Sequence, residues 1–127
     1  MVRHEQDWIM RQVQNLVQFV VRTILNKDHI SYELHEEFDG ETGELYSRLK
    51  ELLLAGGICK AEDALHDGFS ESKDYLRLAM WFYNELNMMA DKELEAAGFS
   101  REEIYEGLQD LLRQSGIPLL YVDNEGE

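Results

Sequence analysis

Apolar residues recur every three to four positions through most of this chain, and each such run predicts a helix. In the first run Ile9, Val13, Leu16, Val17, Val20 and Ile24 share one stripe. Met10 and Val21 widen its near edge, and Trp8 and Phe19 flank the far one. Arg11, Gln14, Asn15, Gln18 and Arg22 fall opposite, so a first helix is expected from about His4 to Asn26. At 1.5 Å per residue it is about 33 Å long, close to the diameter of a small domain. A stripe this broad wants two neighbours, or an overhang that pairs with a second copy.

The pattern then lapses. Gly40 and Gly43 punctuate positions 27–43, Glu36, Glu37, Asp39 and Glu41 keep them wet, and Ile30, Tyr32 and Leu34 alternate with polar residues. This reads as a long connection with a short extended piece. A second helix is expected from about Glu44 to Ala55, N-capped by Thr42, burying Leu45, Leu49, Leu52 and Leu53. Gly56–Gly57 ends it. A third helix, about Ile58 to Asp67, buries Ile58, Ala61, Ala64 and Leu65 and stops at Gly68. Small residues straight after a tight turn predict an antiparallel hairpin whose backbones approach closely.

A fourth helix runs from near Ser72 to about Ala90. Tyr75, Leu76, Ala79, Met80, Tyr83 and Leu86 line one face, and Leu78, Phe82 and Met89 a second, so this helix is expected at the centre. Trp81 and Met88 lie seven residues apart on a third strip with Arg77 and Asn84. Residues 91–98 continue as a helical turn that ends at Gly98. Ser100 and Glu103 have the spacing of a capping box and start a fifth helix. Its core side is Ile104, Leu108, Leu111 and Leu112, and Gly116 and Pro118 end it. Ile117–Val122 is apolar enough to dock, and Asp123–Glu127 should fray. The expected architecture is all-α, about five helices in antiparallel hairpins, tetratricopeptide-like or an irregular bundle. It forms one domain over 1–127, divided into a helix (1–26), a connection (27–43), hairpins (44–116) and a tail (117–127).

Length and composition agree with this. A chain of 127 residues, 44% hydrophobic, is one domain with a real core. Gln18 and Arg22 interrupt the most apolar helix, so no segment approaches the roughly 20 apolar residues of a membrane span. The N-terminus lacks a signal-peptide layout, and cytoplasmic residence away from membranes is the expectation. The formal net charge of −14 argues against nucleic acid, whose phosphates it repels, and serves solubility. The charge is uneven: residues 1–27 carry a net +2 and residues 28–127 a net −16. Attraction therefore helps the first helix dock on an acidic body. The single cysteine, Cys59, excludes an internal disulfide and any multi-cysteine metal site, and is expected as a small core residue.

The hairpin compares with the tetratricopeptide pattern W-x2-L-G-x2-Y…A-x3-F…P. Ala61-x3-Leu65 fits its second helix, and Leu45 and Leu52 fall at the tryptophan and tyrosine positions. Arg48 and Leu49 replace the leucine and glycine, Lys73 replaces the proline, and no second copy follows in register. The unit is a single degraded one, close to a generic hairpin.

Chemistry-bearing motifs are sparse. His35-Glu36-Glu37-Phe38-Asp39 approaches H-E-x-x-H but puts aspartate at the second histidine and glycine next. Asp63 and His66 are spaced to share an ion or a hydrogen bond. No phosphate-binding glycine loop, dinucleotide fingerprint or serine elbow is present. No catalytic residue, metal ligand or cofactor site is therefore assigned. A metal-dependent enzyme using the clusters at 35–39 and 63–67 stands as the alternative, as does an acidic regulator of a basic partner. Trp81, Met88 and Tyr105 are the candidate protein-binding residues, because exposed aromatic and methionine side chains favour partners. Cover from the first helix or the tail is the competing reading. The principal expectation is a small interaction or scaffold module for a protein or peptide, with self-pairing through the first helix as one mode.

Two stretches together resemble a known family. One is Asp7-Trp8-Ile9-Met10-Arg11-Gln12-Val13 continuing to Lys27-Asp28. The other is Leu45-Tyr46 through Lys60-Ala61-Glu62-Asp63, followed by Gly98-Phe99-Ser100-Arg101-Glu102-Glu103-Ile104. They are similar to short, acidic, uncharacterised bacterial proteins of tetratricopeptide-like helical architecture. The resemblance implies a helical fold and a bacterial source, and it transfers no activity and no functional residue.

Overall fold

Residues 75–83 form nine consecutive buried positions on one helix, and the other elements are arranged to cover them. The computed structural model describes residues 2–25, 38 and 40–117, with side chains from residue 6 onward. Six helices lie in this span: α1 (Val2–Thr23), α2 (Gly40–Leu54), α3 (Ile58–Asp67), α4 (Lys73–Asn87), α5 (Asp91–Ala96) and α6 (Arg101–Gln114). There is no strand among the described residues. The protein is all-α. Helix α4 packs against α1, α2 and α6, α1 also packs on α6, and α2 pairs with α3.

The stripe of α1 is consumed by this packing. Ile9, Val13, Leu16, Val17, Val20 and Val21 are buried, whereas Arg11, Gln14, Asn15 and Arg22 face outward. Gln12 is buried too, a polar residue that periodicity does not mark as internal. The α2–α3 hairpin forms as expected. Gly56 takes a left-handed φ of 81°, its N–H bonds Leu53 O at 3.0 Å, and the Gly57 N–H reaches Leu52 O at 2.8 Å. These two bonds are a Schellman cap, which satisfies the orphan carbonyls of α2 and turns the chain. Ala61 is fully buried in the hairpin, and a Cβ on Gly68 would come 3.0 Å from Leu45 Cδ2. The leucines of α2 thus meet α3 where the α3 side chains are smallest.

Three expectations need correction. Helix α2 begins at Gly40, not Glu44, so Thr42 lies inside its first turn and does not cap it. The chain ahead of α2 folds back on it: the Phe38 carbonyl lies where a Cβ on Gly43 would collide, and the Phe38 ring sits 5.0 Å from that of Tyr46. That contact accompanies a helix that starts four residues earlier than the apolar spacing suggests. Helix α4 stops at Asn87, three residues before Ala90. Its end is fixed by buried Arg101, whose guanidinium donates to the carbonyls of Asn87 (3.1 Å) and Met89 (2.8 Å) and pairs with Asp91 at 2.9 Å. A cation at the negative end of a helix is favourable, and here it also satisfies otherwise unpaired carbonyls. Cys59 is exposed, because Ile58, Ala61 and Leu65 take the inward face of α3 and leave position 59 outside.

The capping box is present at α6. Ser100 Oγ accepts from the Glu103 N–H at 3.1 Å, and Glu103 Oε1 accepts from the Ser100 N–H at 2.8 Å. Ser72 caps α4 by accepting from the Tyr75 N–H. Positions 27–37 of the expected connection and residues 118–127 of the expected tail lie outside the described residues.

Arg101→Ala strips the α4 terminus of its cation and leaves two carbonyls and the Asp91 carboxylate without that partner. We expect a loss of about 2–4 kcal/mol of folding stability, read as a lower urea midpoint at unchanged slope.

Candidate functional site

Two concave features follow from this packing. The first is an acidic cleft of about 270 Å³, lined by Glu62, Asp63 and His66 of α3 and Glu103, Glu106, Gly107 and Asp110 of α6. At its floor stands the fully buried Tyr83 of α4, whose hydroxyl donates to Glu62 Oε2 at 2.7 Å. His66 Nε2 lies 2.8 Å from the same hydroxyl. Tyrosine has one proton to give, and it goes to the carboxylate. His66 must therefore donate from Nε2, with Nδ1 turned elsewhere.

Gly107 makes this arrangement possible. A Cβ there would collide with Glu62 Oε2 and stand 2.7 Å from the Tyr83 hydroxyl. The backbone of α6 lies directly on the pair, and a side chain there would have to displace the Glu62 carboxylate and crowd the rigid Tyr83 phenol. Burial pushes the Glu62 carboxyl above its ordinary value of 4.5, opposed by the Tyr83 hydrogen bond and the His66 charge. Burial, with the Glu62 charge beside it, raises Tyr83 far enough that it stays protonated.

The Asp63 and His66 pairing expected from sequence is replaced by His66 with Tyr83 and Glu62, one helical turn back at 3.9 Å. Among the described residues no group of three or more histidine, cysteine, aspartate or glutamate side chains is disposed to hold a metal ion. Of the cluster at 35–39, only Phe38 is within the described residues, and it is packed on Tyr46. The cleft is a locked hydrogen-bond network under a negative rim. The Glu62–Tyr83 pair was not singled out by sequence; a glycine in the middle of the α6 pattern was the one available signal of a close approach.

The second feature is an apolar groove of about 280 Å³ between α2 and α4. Tyr46, Leu53, Leu54 and Trp81 line it, with Lys50 and Glu85 on opposite walls. Trp81 forms the floor, 6% exposed and edge-on to Tyr46 at 4.9 Å between centroids. The Lys50 ammonium stands 5.0 Å from the Tyr46 ring centre. Leu54, at the end of α2, is 88% exposed.

Trp81, Met88 and Tyr105 do not share one surface. Among the described residues Trp81 packs edge-on against Tyr46 of α2 and lines the groove, and the expected tail lies outside those residues. Tyr105 is half-buried and meets Trp8 of α1 edge-on at 6.2 Å. Met88 is 70% exposed at the end of α4, where its sulfur accepts from Asn84 at 3.5 Å.

Residues 3–116 match the model of a family of unknown function (DUF6483). The chain belongs to this family. The matched span includes every residue of the cleft and the groove. No curated protein and no solved structure gives a significant match to the chain. No helix of the described residues is long and apolar enough to cross a membrane.

Two outcomes test the cleft. Gly107→Ala gains about 1 kcal/mol of helix propensity but drives a methyl into a rigid, buried phenol. We expect a net loss of about 1–3 kcal/mol, partly recovered in Gly107→Ala with Tyr83→Phe, measured by chemical denaturation. Glu62→Gln keeps an acceptor for Tyr83 without a charge to desolvate. The native carboxyl is raised, so its stabilising contribution is complete below about 4.5 and is lost as pH rises through the raised value. Glu62→Gln should therefore gain on the wild type as pH increases from 4.5 to 7, read as the difference in urea midpoints.

Proposed function

We propose that this chain is a small helical protein-interaction module that receives an amphipathic helix in the α2–α4 groove. The observation that carries the reading is the groove itself: an apolar floor on Trp81, walls of Tyr46 and Leu53, and Leu54 almost wholly exposed at its rim. A scattered exposed leucine is ordinary on a protein surface. One set beside an apolar depression between two helices is the form taken by helix-in-groove recognition. An incoming helix would place an apolar anchor over Trp81, a carboxylate near Lys50 and a cation near Glu85. Helical hairpins of the tetratricopeptide kind use adjacent helices for such contacts, and the α2–α3 hairpin with α4 supplies a comparable platform.

Trp8 and Trp81 are the two tryptophans of the chain. Trp8→Phe leaves Trp81 as the sole indole reporter at the groove floor. Its emission should shift saturably on titration with a helical peptide bearing a leucine anchor between a glutamate and a lysine. Leu54→Glu should weaken that binding by about tenfold or more, as expected for losing most of a buried leucine contact. An unchanged Trp81 signal, or equal binding by Leu54→Glu, would refute the groove as a docking site.

A further inference from the structure

Taking the groove as a docking surface, we infer that its occupant is helix α2 of a second copy of this chain, paired about a two-fold axis. A two-fold interface must be self-complementary, so one patch has to carry both members of each contact. This patch does. It holds a projecting side chain, Leu54, and a depression lined by Tyr46, Leu53 and Trp81. It holds a cation, Lys50, on the α2 wall and an anion, Glu85, on the α4 wall.

Lys50 precedes Leu54 by one helical turn, so both project from the same side of α2. A helix that delivers Leu54 into a neighbouring groove therefore brings Lys50 to the same neighbour. The two-fold operation sets Lys50 of one copy against Glu85 of the other, twice. Within one chain, among the described residues, the Lys50 ammonium lies over the Tyr46 ring and Glu85 has no cation in ion-pairing range. Both charges are thus available to a neighbour.

The first helix is less suited to self-pairing. Its apolar stripe is spent on α4 and α6, and its exposed positions are polar apart from Trp8, whose ring is engaged edge-on by Tyr105 of the same chain. The opposing consideration is repulsion between two bodies of charge −14. At about 0.15 M salt the screening length is about 8 Å, which confines that repulsion to the nearest charges. The nearest charges across this interface are of opposite sign.

Sedimentation velocity of the full chain across a dilution series at about 0.15 M salt tests the inference. The wild type should reach a dimer mass. Lys50→Glu and Glu85→Lys, each alone, should weaken self-association by about tenfold or more, because both copies then present like charges. An equimolar mixture of the two variants should regain the dimer mass, since each then supplies the charge the other needs. Leu54→Glu should remain monomeric, and circular dichroism should show all three variants with the helical content of the wild type. A wild type that stays monomeric throughout, a dimer indifferent to these substitutions, or a mixture that fails to pair would each overturn it. If self-association fails while the Trp81 reporter still responds to the helical peptide, the second copy is excluded and the docking reading survives. If both fail, the groove is not an interaction site.

Discussion

The requirement to bury α4 on every side governs this structure. A helix with nine consecutive buried residues has no solvent face along that stretch, and such a helix is stable only when enclosed. Enclosure by cylinders about 10 Å across needs several neighbours, and the chain supplies α1, α2 and α6. The lesser features follow. Arg101 is buried because the α4 terminus must end inside the protein and its carbonyls need a donor. Arg77, on the same crowded stretch, extends its guanidinium over the Phe38 ring at 4.8 Å and pairs with Asp74 at 2.9 Å, which keeps the charge compensated inside.

The cleft and the groove are two answers to one geometrical problem. Helix α3 belongs to the hairpin with α2, and its principal link to α4 is through polar groups. Tyr75 donates to the Leu65 carbonyl at 2.6 Å, and Tyr83 donates to Glu62. A tyrosine reaching out of a core makes a directional tie, so α3 is positioned by hydrogen bonds where α1 and α6 are positioned by packing. Gly107 then decides how near α6 can come to that tie. On the opposite flank α2 covers Trp81 with Tyr46 but ends at Leu54, before the α4 surface beside Glu85 is closed. The cleft is a seam filled by a polar network, and the groove is a seam left short of cover.

Helices, their order and the central place of α4 were legible in the sequence because each rests on local rules: apolar spacing, glycine termini and the Ser100–Glu103 box. What was illegible rests on contacts between residues distant in the chain. Nothing local tells that Phe38 folds back on Tyr46 or that α2 starts early. Arg101 within a run of charged residues reads as surface, although it closes a helix fourteen residues away. Trp81 and Arg77 sat on a strip that looked polar, and α2 with Phe38 covered it. Cys59 illustrates the opposite error, since residue type suggested burial where helical phase placed it outside. For Glu62 and Tyr83 the partners are twenty-one residues apart, and only Gly107 hinted that something pressed on α6.

The charge distribution bears on which of the two seams is the better candidate for docking. The cleft is rimmed by carboxylates, and its floor is already satisfied: Tyr83, Glu62 and His66 use their hydrogen-bonding groups on one another. Entry of a ligand there would have to compensate those bonds. The groove floor is aromatic and aliphatic, and covering it removes apolar area from water at roughly 25 cal/mol per Å². Its two charges are opposite and flank the apolar strip, so they select orientation more than they add affinity. A surface with that composition would reward a neighbour for register, which is why the proposed docking site is the groove and not the more strongly charged cleft.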